Sequence, residues 1–304
     1  MRTILSVLRL PNLLIVALTF LLLRYLVFLP VYHNYTINPG MGNLHYFLMI
    51  TSTLLIAIAG YISNDYFDVL TDKVNKPDKL YIDIYIPARL ALAIALICSL
   101  LAMAVAVWLT WLSQSLYPVL LLFLALVVAW WYALKLKRSF LWGNIAVSGM
   151  SAGTIAMAWV IENDCSQVTD EPFGIITTIV AAISIFAFLL SFLREIVKDI
   201  EDMEGDKLIN CHTLPLVKGI FFTKTFLTVL VWITFVLLLF TQIFLARSSG
   251  YVAAIWLLIF VEIPLLYFIK SLKIAKTKSD YHLLSTMLKW IMLGGMGTII
   301  AGQF

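Results

Sequence analysis

The chain has 304 residues, of which 62% are hydrophobic and only 12% are charged. Soluble domains carry about 25% charged residues, so this composition excludes an ordinary soluble protein and indicates that lipid is the main solvent. The formal net charge is +4, and aromatic residues do not alternate with basic ones, so there is no sign of a nucleic-acid surface.

Nine apolar stretches are long enough to cross a membrane. A spanning helix needs about 20 mostly apolar residues, because its backbone groups must pair within the segment where water is excluded. The predicted spans are Pro11–Leu29, Leu44–Ile62, Ala88–Leu112, Leu116–Leu134, Phe140–Ile161, Phe173–Leu193, Thr223–Leu245, Tyr251–Ile269 and Leu283–Gly302. The first is interpreted as a retained helix, since it is long and no small-x-small cleavage site precedes His33. We therefore predict an all-α polytopic membrane protein with almost no soluble part.

The basic residues predict the orientation. With the N-terminus in the cytoplasm, 18 of the 21 Lys and Arg residues fall on the cytoplasmic side, and Arg24 and Arg247 fall on the other. This asymmetry follows the positive-inside rule and favours an odd number of spans. The loop acids opposite, Glu162 among them, are expected to face solvent. Glu262 and Lys289 lie inside predicted spans, where charge is costly, so they are expected to face a cavity, pair or snorkel.

Two aspartate-rich motifs follow the second and sixth predicted spans. Each contains three aspartates at positions i, i+3 and i+7, which share one face of a helix. They are Asp65, Asp68 and Asp72 in the first motif, with Asn64 before them, and Asp199, Asp202 and Asp206 in the second. One such motif could be a set of solvated acids beside a span, but two copies with one spacing favour a site.

The chemistry of these side chains favours a metal and a polyanion. Six clustered carboxylates would repel one another, so the cluster implies a compensating positive charge. Oxygen ligands of this kind suit Mg²⁺, which usually takes one or two carboxylates and fills its coordination shell with water and substrate phosphate. A metal-bound diphosphate at the mouth of a lipid-embedded protein suggests a substrate with a hydrocarbon tail, such as an isoprenyl diphosphate.

At this point the residues resemble the UbiA superfamily of intramembrane prenyltransferases. Asn64 to Asp72 reads as the N-D-x-x-D-x-x-x-D motif of that family, and Asp199 to Asp206 as its second motif, ending in Glu-Gly-Asp. Further similarity lies in Arg9-Leu10-Pro11-Asn12, in Tyr132 followed by Lys135, Lys137 and Arg138, in Gly143-Asn144, and in Thr213-Leu214-Pro215.

The resemblance implies one domain over residues 1–304, with about nine helices around a central cavity and two Mg²⁺ ions between the acidic helices. It implies that the six aspartates are catalytic, although Asp65 can alternatively orient its neighbours. The implied metal ligands are Asn64, Asp68, Asp72, Asp199, Asp202 and Asp206. The implied substrate-binding residues are Arg9, Asn12, Asn64, Lys79, Tyr132, Lys137, Arg138, Asn144 and Lys198.

The implied reaction is Mg²⁺-dependent transfer of a prenyl group from a polyprenyl diphosphate to a small or lipid acceptor. The run that begins at Lys198 and the segment that begins at Tyr132 look most like the branch that prenylates geranylgeranylglyceryl phosphate to make ether lipid. An aromatic acid or quinone precursor is the alternative acceptor. Many relatives have Arg-Pro where this chain has Lys79, which supplies a point charge and no bidentate fork, so the acceptor stays open.

An ion-coupled secondary transporter is the alternative from a different class. Transporter sites usually lie near the membrane midplane on broken helices, whereas these acids lie at the ends of spans, which disfavours transport. We expect an integral protein of the cell (inner) membrane of a prokaryote, with its N-terminus and active site on the cytoplasmic side. We expect membrane lipid around it, no nucleic acid and no obligate protein partner.

Overall fold

The computed structural model describes residues 8–75, 77, 81–248 and 251–302. Within these ranges eleven helices follow one another: α1 Leu10–Asn34, α2 Asn43–Phe67, α3 Val69–Asn75, α4 Ala88–Ser113, α5 Tyr117–Leu134, α6 Trp142–Ser166, α7 Asp170–Glu201, α8 Met203–Leu208, α9 Leu214–Ser248, α10 Tyr251–Ile274 and α11 Lys278–Ala301. All except the short α3 and α8 are long and apolar enough to cross a membrane. The prediction of an all-α membrane protein with nine spans is confirmed for the described residues.

Several helices continue beyond the apolar windows that predicted them. The clearest case is α7, which has 32 residues where the sequence predicted a span over Phe173–Leu193. At 1.5 Å per residue it is about 48 Å long, well beyond a hydrocarbon core of about 30 Å. An apolar stretch in the sequence ends at the first charged residues, but the backbone hydrogen bonds of the helix continue beyond them. The second acidic motif therefore begins on the rigid end of a spanning helix.

Two of the spanning helices contain a π-helical turn. The turns cover Arg24–Phe28 in α1 and Leu258–Glu262 in α10, and each is followed two residues later by a proline, Pro30 or Pro264. Proline lacks an N–H and its ring presses on the carbonyl four residues earlier, so a wider preceding turn relieves the clash. Each turn also holds a charged residue that is almost fully buried, Arg24 or Glu262.

The chain divides into two compact units. The first contains residues 1–137 and 153–181, and the second contains residues 138–152 and 182–304. Helices α1 to α5 belong to the first unit and α8 to α11 to the second, while α6 and α7 contribute residues to both. The first acidic motif lies in the first unit, and the second motif lies in the second unit.

In the first unit, small residues let α2 and α4 pack closely. Ala91, Ala95, Ala102 and Ala106 of α4 are all at most 2% exposed, and they recur at intervals of four or seven residues along one side of the helix. The hydroxyl of Ser52 in α2 donates to the carbonyl of Ala102 at 2.9 Å. Small residues at a helix interface allow close backbone approach in a membrane. This contact fixes α2, whose last turn carries the first motif.

A buried ion pair in the first unit corrects one prediction. Arg24 lies 4.0 Å from the centre of the Tyr46 ring, donates to the carbonyl of Met41, and has its Nη1 3.9 Å from Oε2 of Glu162. Glu162 is 1% exposed, so the expectation that it faces solvent is wrong. The apolar window ended at Ile161, but α6 continues for five more residues and keeps Glu162 inside.

In the second unit, α10 and α11 pack against each other at glycine. The indole N–H of Trp256 donates to the carbonyl of Gly294 at 2.9 Å. A Cβ at Gly294 would lie 2.7 Å from the carbonyl oxygen of Phe260, closer than real Cβ contacts allow. Any larger residue at position 294 would therefore force the two helices apart.

Candidate active site

The first motif lies where α2 passes into α3. Helix α2 ends at Phe67, Asp68 has φ −95° and ψ 2°, and α3 begins at Val69. The N–H of Asp68 donates to the carbonyl of Asn64 at 3.0 Å, and the N–H of Asp72 donates to the carbonyl of Asp68 at 2.8 Å. The helical hydrogen bonds therefore continue across the junction, although the helix we predicted over the motif is interrupted at its middle aspartate.

The second motif has the same local backbone. Helix α7 ends at Glu201, Asp202 has φ −96° and ψ 3°, and α8 begins at Met203. The N–H of Asp202 donates to the carbonyl of Lys198 at 2.8 Å, and that of Asp206 donates to the carbonyl of Asp202 at 3.1 Å. This region of φ/ψ space is sparsely populated and recurs at active sites. The shared spacing in the sequence thus corresponds to a shared conformation.

Arg9 pairs with the first aspartate of the first motif. Its Nη2 lies 2.5 Å from Oδ1 of Asp65, and the guanidinium carbon lies 5.0 Å from the centre of the Tyr61 ring. Arg9 stands immediately before α1 with φ 50°, a left-handed conformation that is uncommon for a residue with a side chain. Asp65 is thus the partner of Arg9, and its role as a catalytic or orienting residue stays a prediction.

Lys137 pairs with the middle aspartate of the same motif. It comes from a short 3₁₀ turn, Leu136–Arg138, after α5, and its Nζ contacts Oδ2 of Asp68. The side chain of Asp68 is 6% exposed. Burial alone would lower the pKa of Lys137, but the nearby carboxylate of Asp68, with Tyr132 and Asp72, outweighs burial and raises it. Lys137 is therefore a firmly charged ammonium beside two predicted metal ligands.

In the second unit a neutral amide holds the first aspartate. Nδ2 of Asn144 donates to Oδ2 of Asp199 at 2.8 Å, and Asn144 is 6% exposed. The hydroxyl of Ser148, one turn later in α6, donates to the carbonyl of Asn144 at 2.6 Å. Asn144 was predicted as a substrate-binding residue, and its observed contact is with a predicted metal ligand.

Glu195 is a residue that the sequence analysis missed. Its carboxylate accepts from Lys198 at 3.0 and 3.2 Å and from Arg194 at 2.9 Å, and its side chain is 8% exposed. It lies one turn before Asp199, so its helical spacing could have revealed that it extends the acidic face of α7. A second contact there, at 2.9 Å, joins Nδ1 of His282 to Oε1 of Glu201.

The other predicted residues occupy varied surroundings. Asp206 is buried, Asp72, Asn12 and Tyr132 are half-buried, and Arg138 is exposed. The carbonyl of Arg138 accepts from the N–H of His212 at 2.9 Å. Lys79 lies outside the described residues.

The donor atoms suit Mg²⁺ that is completed by substrate and water. Oδ1 of Asn64 is buried and has no hydrogen-bond partner within the described residues, which leaves an oxygen donor available beside Asp68. In neither unit do three Asp, Glu, His or Cys side chains of the described residues lie close enough to hold a metal by themselves. Mg²⁺ usually takes only one or two carboxylates and completes its shell with water and phosphate oxygens. The residues present therefore fit a Mg²⁺ ion that arrives with a phosphate ligand.

Comparison with known proteins gives relatives by sequence and by fold. The chain is 36% identical over 174 residues to a digeranylgeranylglyceryl phosphate synthase of Ignicoccus hospitalis, which covers 55% of this chain and 52% of that protein. It is 32% identical over 183 residues to the protein of the same name from Methanosphaera stadtmanae, covering 59% and 61%. The matches thus span little more than half the length of these relatives.

Solved structures share the fold over almost the whole chain. A structure of digeranylgeranylglyceryl phosphate synthase superimposes with a TM-score of 0.66 at 21% identity, covering 98% of each chain. A UbiA homologue from Archaeoglobus fulgidus bound to GPP and Mg²⁺ superimposes with a TM-score of 0.59 at 17% identity, covering 98% of this chain and 99% of that one. Residues 13–292 match the sequence profile of the UbiA prenyltransferase family. The chain belongs to the UbiA prenyltransferase family.

Proposed function

We propose that this protein transfers a prenyl group from a polyprenyl diphosphate to an acceptor in the membrane and requires Mg²⁺ to do so. The proposed acceptor is geranylgeranylglyceryl phosphate, and the proposed donor is geranylgeranyl diphosphate. The reaction belongs to the cytoplasmic side of the membrane, where the basic loops are predicted to lie.

The observation that carries the proposal is the repeated acidic motif. Two aspartate triplets with one spacing stand at the ends of membrane-spanning helices, and each is interrupted at its middle residue with the same φ and ψ, at Asp68 and at Asp202. A chance pair of loop acids has no reason to repeat a conformation as well as a spacing. The repetition of both features favours the same chemical role for the two motifs, which is to bind the metal and diphosphate of the prenyl donor.

The charges beside the motifs suit a departing diphosphate. Arg9 and Lys137 stand at the first motif and Lys198 at the second, and such cations stabilise the negative charge that develops on a leaving diphosphate. Bound Mg²⁺ would add Lewis-acid stabilisation of the same oxygens. The allylic C–O bond breaks with its electron pair going to the diphosphate, the acceptor hydroxyl oxygen bonds to the freed carbon, and the hydroxyl proton is released.

Two residues hold groups of the second motif in place through hydrogen bonds. Asn144 orients the carboxylate of Asp199 through one hydrogen bond, and Glu195 fixes the ammonium of Lys198 through its two carboxylate oxygens. Groups held in place in advance cost little reorganisation when charge develops. We expect the apolar spans to keep water away from the allylic cation.

The identity of the donor and acceptor rests on the relatives. Relatives of this chain at 31% to 36% identity include digeranylgeranylglyceryl phosphate synthases, and the homologue from Archaeoglobus fulgidus has a structure bound to GPP and Mg²⁺. These names support a phosphorylated glyceryl ether lipid as the acceptor over an aromatic acid or quinone precursor. Two Mg²⁺ ions, one for each motif, remain part of the proposal.

The test uses the full chain in lipid nanodiscs. The protein is incubated with geranylgeranyl diphosphate and Mg²⁺, together with geranylgeranylglyceryl phosphate in one reaction and an aromatic acid in another. Mass spectrometry should find a doubly prenylated glyceryl phosphate and an equal amount of released diphosphate in the first reaction. Prenylation of the aromatic acid alone would overturn the proposed acceptor, and failure to consume the donor with either acceptor would overturn the reaction.

A further inference from the structure

One carboxylate of the first motif has two competing cationic partners, a lysine and the predicted Mg²⁺. Asp68 is a predicted Mg²⁺ ligand, and its Oδ2 contacts the ammonium of Lys137. The Asp68 side chain is 6% exposed, so the carboxylate is shielded from water, whereas the side chain of Lys137 is 28% exposed. A Mg²⁺ ion held by that carboxylate would repel the ammonium, because both carry positive charge.

We propose that Lys137 is a placeholder cation: it neutralises Asp68 in the metal-free protein, and Mg²⁺ displaces it so that it can bind the diphosphate. The inference rests on the proposed function, because it assumes that Asp68 binds Mg²⁺ and that a diphosphate follows. It assigns to one lysine an order of events, in which metal binding releases the cation that then grips the substrate.

The position of Lys137 allows the exchange. It stands on a three-residue turn, Leu136–Arg138, between two spanning helices. Its long side chain contacts Asp68, which lies 69 residues earlier in the sequence. Asp72 contributes to the charge around the same ammonium. A flexible four-carbon stem lets an ammonium move several ångströms without any change in the backbone. Lys137 can therefore leave Asp68 while its turn stays in place.

Lys198 and Arg9, two further cations near the motifs, contact different acids. Lys198 is held by Glu195, and Arg9 is held by Asp65, and neither of these acids belongs to the predicted metal-ligand set. Metal binding need not break either pair. Lys198 and Arg9 are thus expected to be fixed electrostatic groups, whereas Lys137 is expected to exchange partners.

The exchange predicts effects of opposite sign on two affinities. In Lys137→Met the placeholder is gone, so Mg²⁺ should bind the substrate-free protein more tightly, by about tenfold, the scale of a charge-assisted hydrogen bond. The same variant should bind inorganic diphosphate about tenfold more weakly at saturating Mg²⁺, because the released cation is missing. Lys137→Arg, which keeps the charge, should resemble the wild type in both measurements within about threefold.

The experiment is isothermal titration calorimetry of the full chain in nanodiscs, first with MgCl₂ alone and then with inorganic diphosphate at saturating Mg²⁺. The matched control is Lys135→Met, which removes an exposed cation two residues earlier. It should change each affinity by less than about twofold. Thermal melting of each variant shows whether it is folded. If Lys137→Met melts below the working temperature, Lys137→Gln, which removes the charge but keeps a polar side chain, carries the same two predictions.

The outcomes separate this inference from the proposed function. Opposite shifts in Lys137→Met, absent in Lys135→Met, support the exchange. If Mg²⁺ affinity falls or is unchanged in Lys137→Met while Asp68→Asn weakens Mg²⁺ binding, the placeholder role is wrong and the metal assignment stands. If Asp68→Asn binds Mg²⁺ as well as the wild type does, the metal assignment itself fails.

Discussion

The two acidic motifs share a backbone and differ in their surroundings. Both are interrupted at the middle aspartate with nearly identical dihedral angles. In the first motif, acids pair directly with cations from distant parts of the chain, Arg9 and Lys137. In the second, Asp199 accepts from the neutral amide of Asn144, while the local cation Lys198 is held by Glu195.

This difference shows that repeating a sequence motif reproduces its backbone conformation but does not reproduce the charged partners of its side chains. The repeated spacing reproduces the local hydrogen bonds, because those depend on the backbone over four residues. The partners of the carboxylates depend on which distant elements fold against them. We therefore expect the two motifs to be equally essential for catalysis but to respond differently to changes in their neighbours.

The largest expected effect comes from the middle aspartates. Asp68→Asn and Asp202→Asn keep the size of the side chain and remove its charge, so each should lower the rate of diphosphate release by more than about a hundredfold. A steady-state assay with geranylgeranyl diphosphate, geranylgeranylglyceryl phosphate and Mg²⁺ measures this. The control is Glu204→Gln, an exposed acid within the second motif, which should keep nearly full activity. A large loss at only one of the two aspartates would break the equivalence of the motifs.

The next effect belongs to the second motif alone. Asn144→Ala removes the hydrogen bond that orients Asp199, and loss of a partner that orients a ligand typically costs 10- to 100-fold in metal affinity, so a fall of about tenfold or more is expected. Calorimetry with MgCl₂ measures it, and Asn144→Asp tests whether a charge in place of the amide is still worse. An unchanged Mg²⁺ affinity in Asn144→Ala would contradict the orienting role of Asn144.

Glu195 gives a smaller and more selective effect. Glu195→Gln should release Lys198 from its fixed position, raising KM for the prenyl diphosphate about tenfold while lowering kcat less, because the lysine acts on the bound headgroup. Glu171→Gln, an exposed acid at the other end of α7, is the control. A fall of about tenfold in kcat with an unchanged KM would contradict a positioning role for Glu195.

The smallest expected effect is at Arg9. Arg9→Lys keeps the positive charge but loses the planar fork and its packing on Tyr61, so KM should rise by only about threefold to fivefold. Arg89→Lys, at an exposed arginine in the same unit, should leave the kinetics unchanged. A loss of a hundredfold or more in Arg9→Lys would show that the arginine binds the reacting group itself.

Local patterns in the sequence predicted the parts of the protein that depend on local physics. Hydropathy located all nine spans of the described chain, and spacing located both motifs, because a membrane helix and a helix face are properties of contiguous residues. Glu195 was within reach of the same reasoning, since it lies one turn before Asp199.

The errors and omissions concern contacts between distant residues. The pairs Arg9–Asp65 and Lys137–Asp68 join positions 56 and 69 apart, and no local pattern encodes them. Glu162 was wrongly expected in solvent because hydropathy marks where a segment becomes polar and cannot show that Arg24, on another helix, lies beside it. The interruptions at Asp68 and Asp202 were also missed, since aspartate itself does not require a helix to end.

The proposal that both motifs act on one diphosphate is tested most directly by a double-mutant cycle. The affinity for inorganic diphosphate at saturating Mg²⁺ is measured for the wild type, Asp68→Asn, Asp202→Asn and the double variant. One shared ligand predicts a coupling energy of at least about 1 kcal/mol, because the second substitution removes a contact from a diphosphate whose binding the first substitution has already weakened. Two losses that add to within about 0.5 kcal/mol would contradict the claim, since independent sites behave in that way.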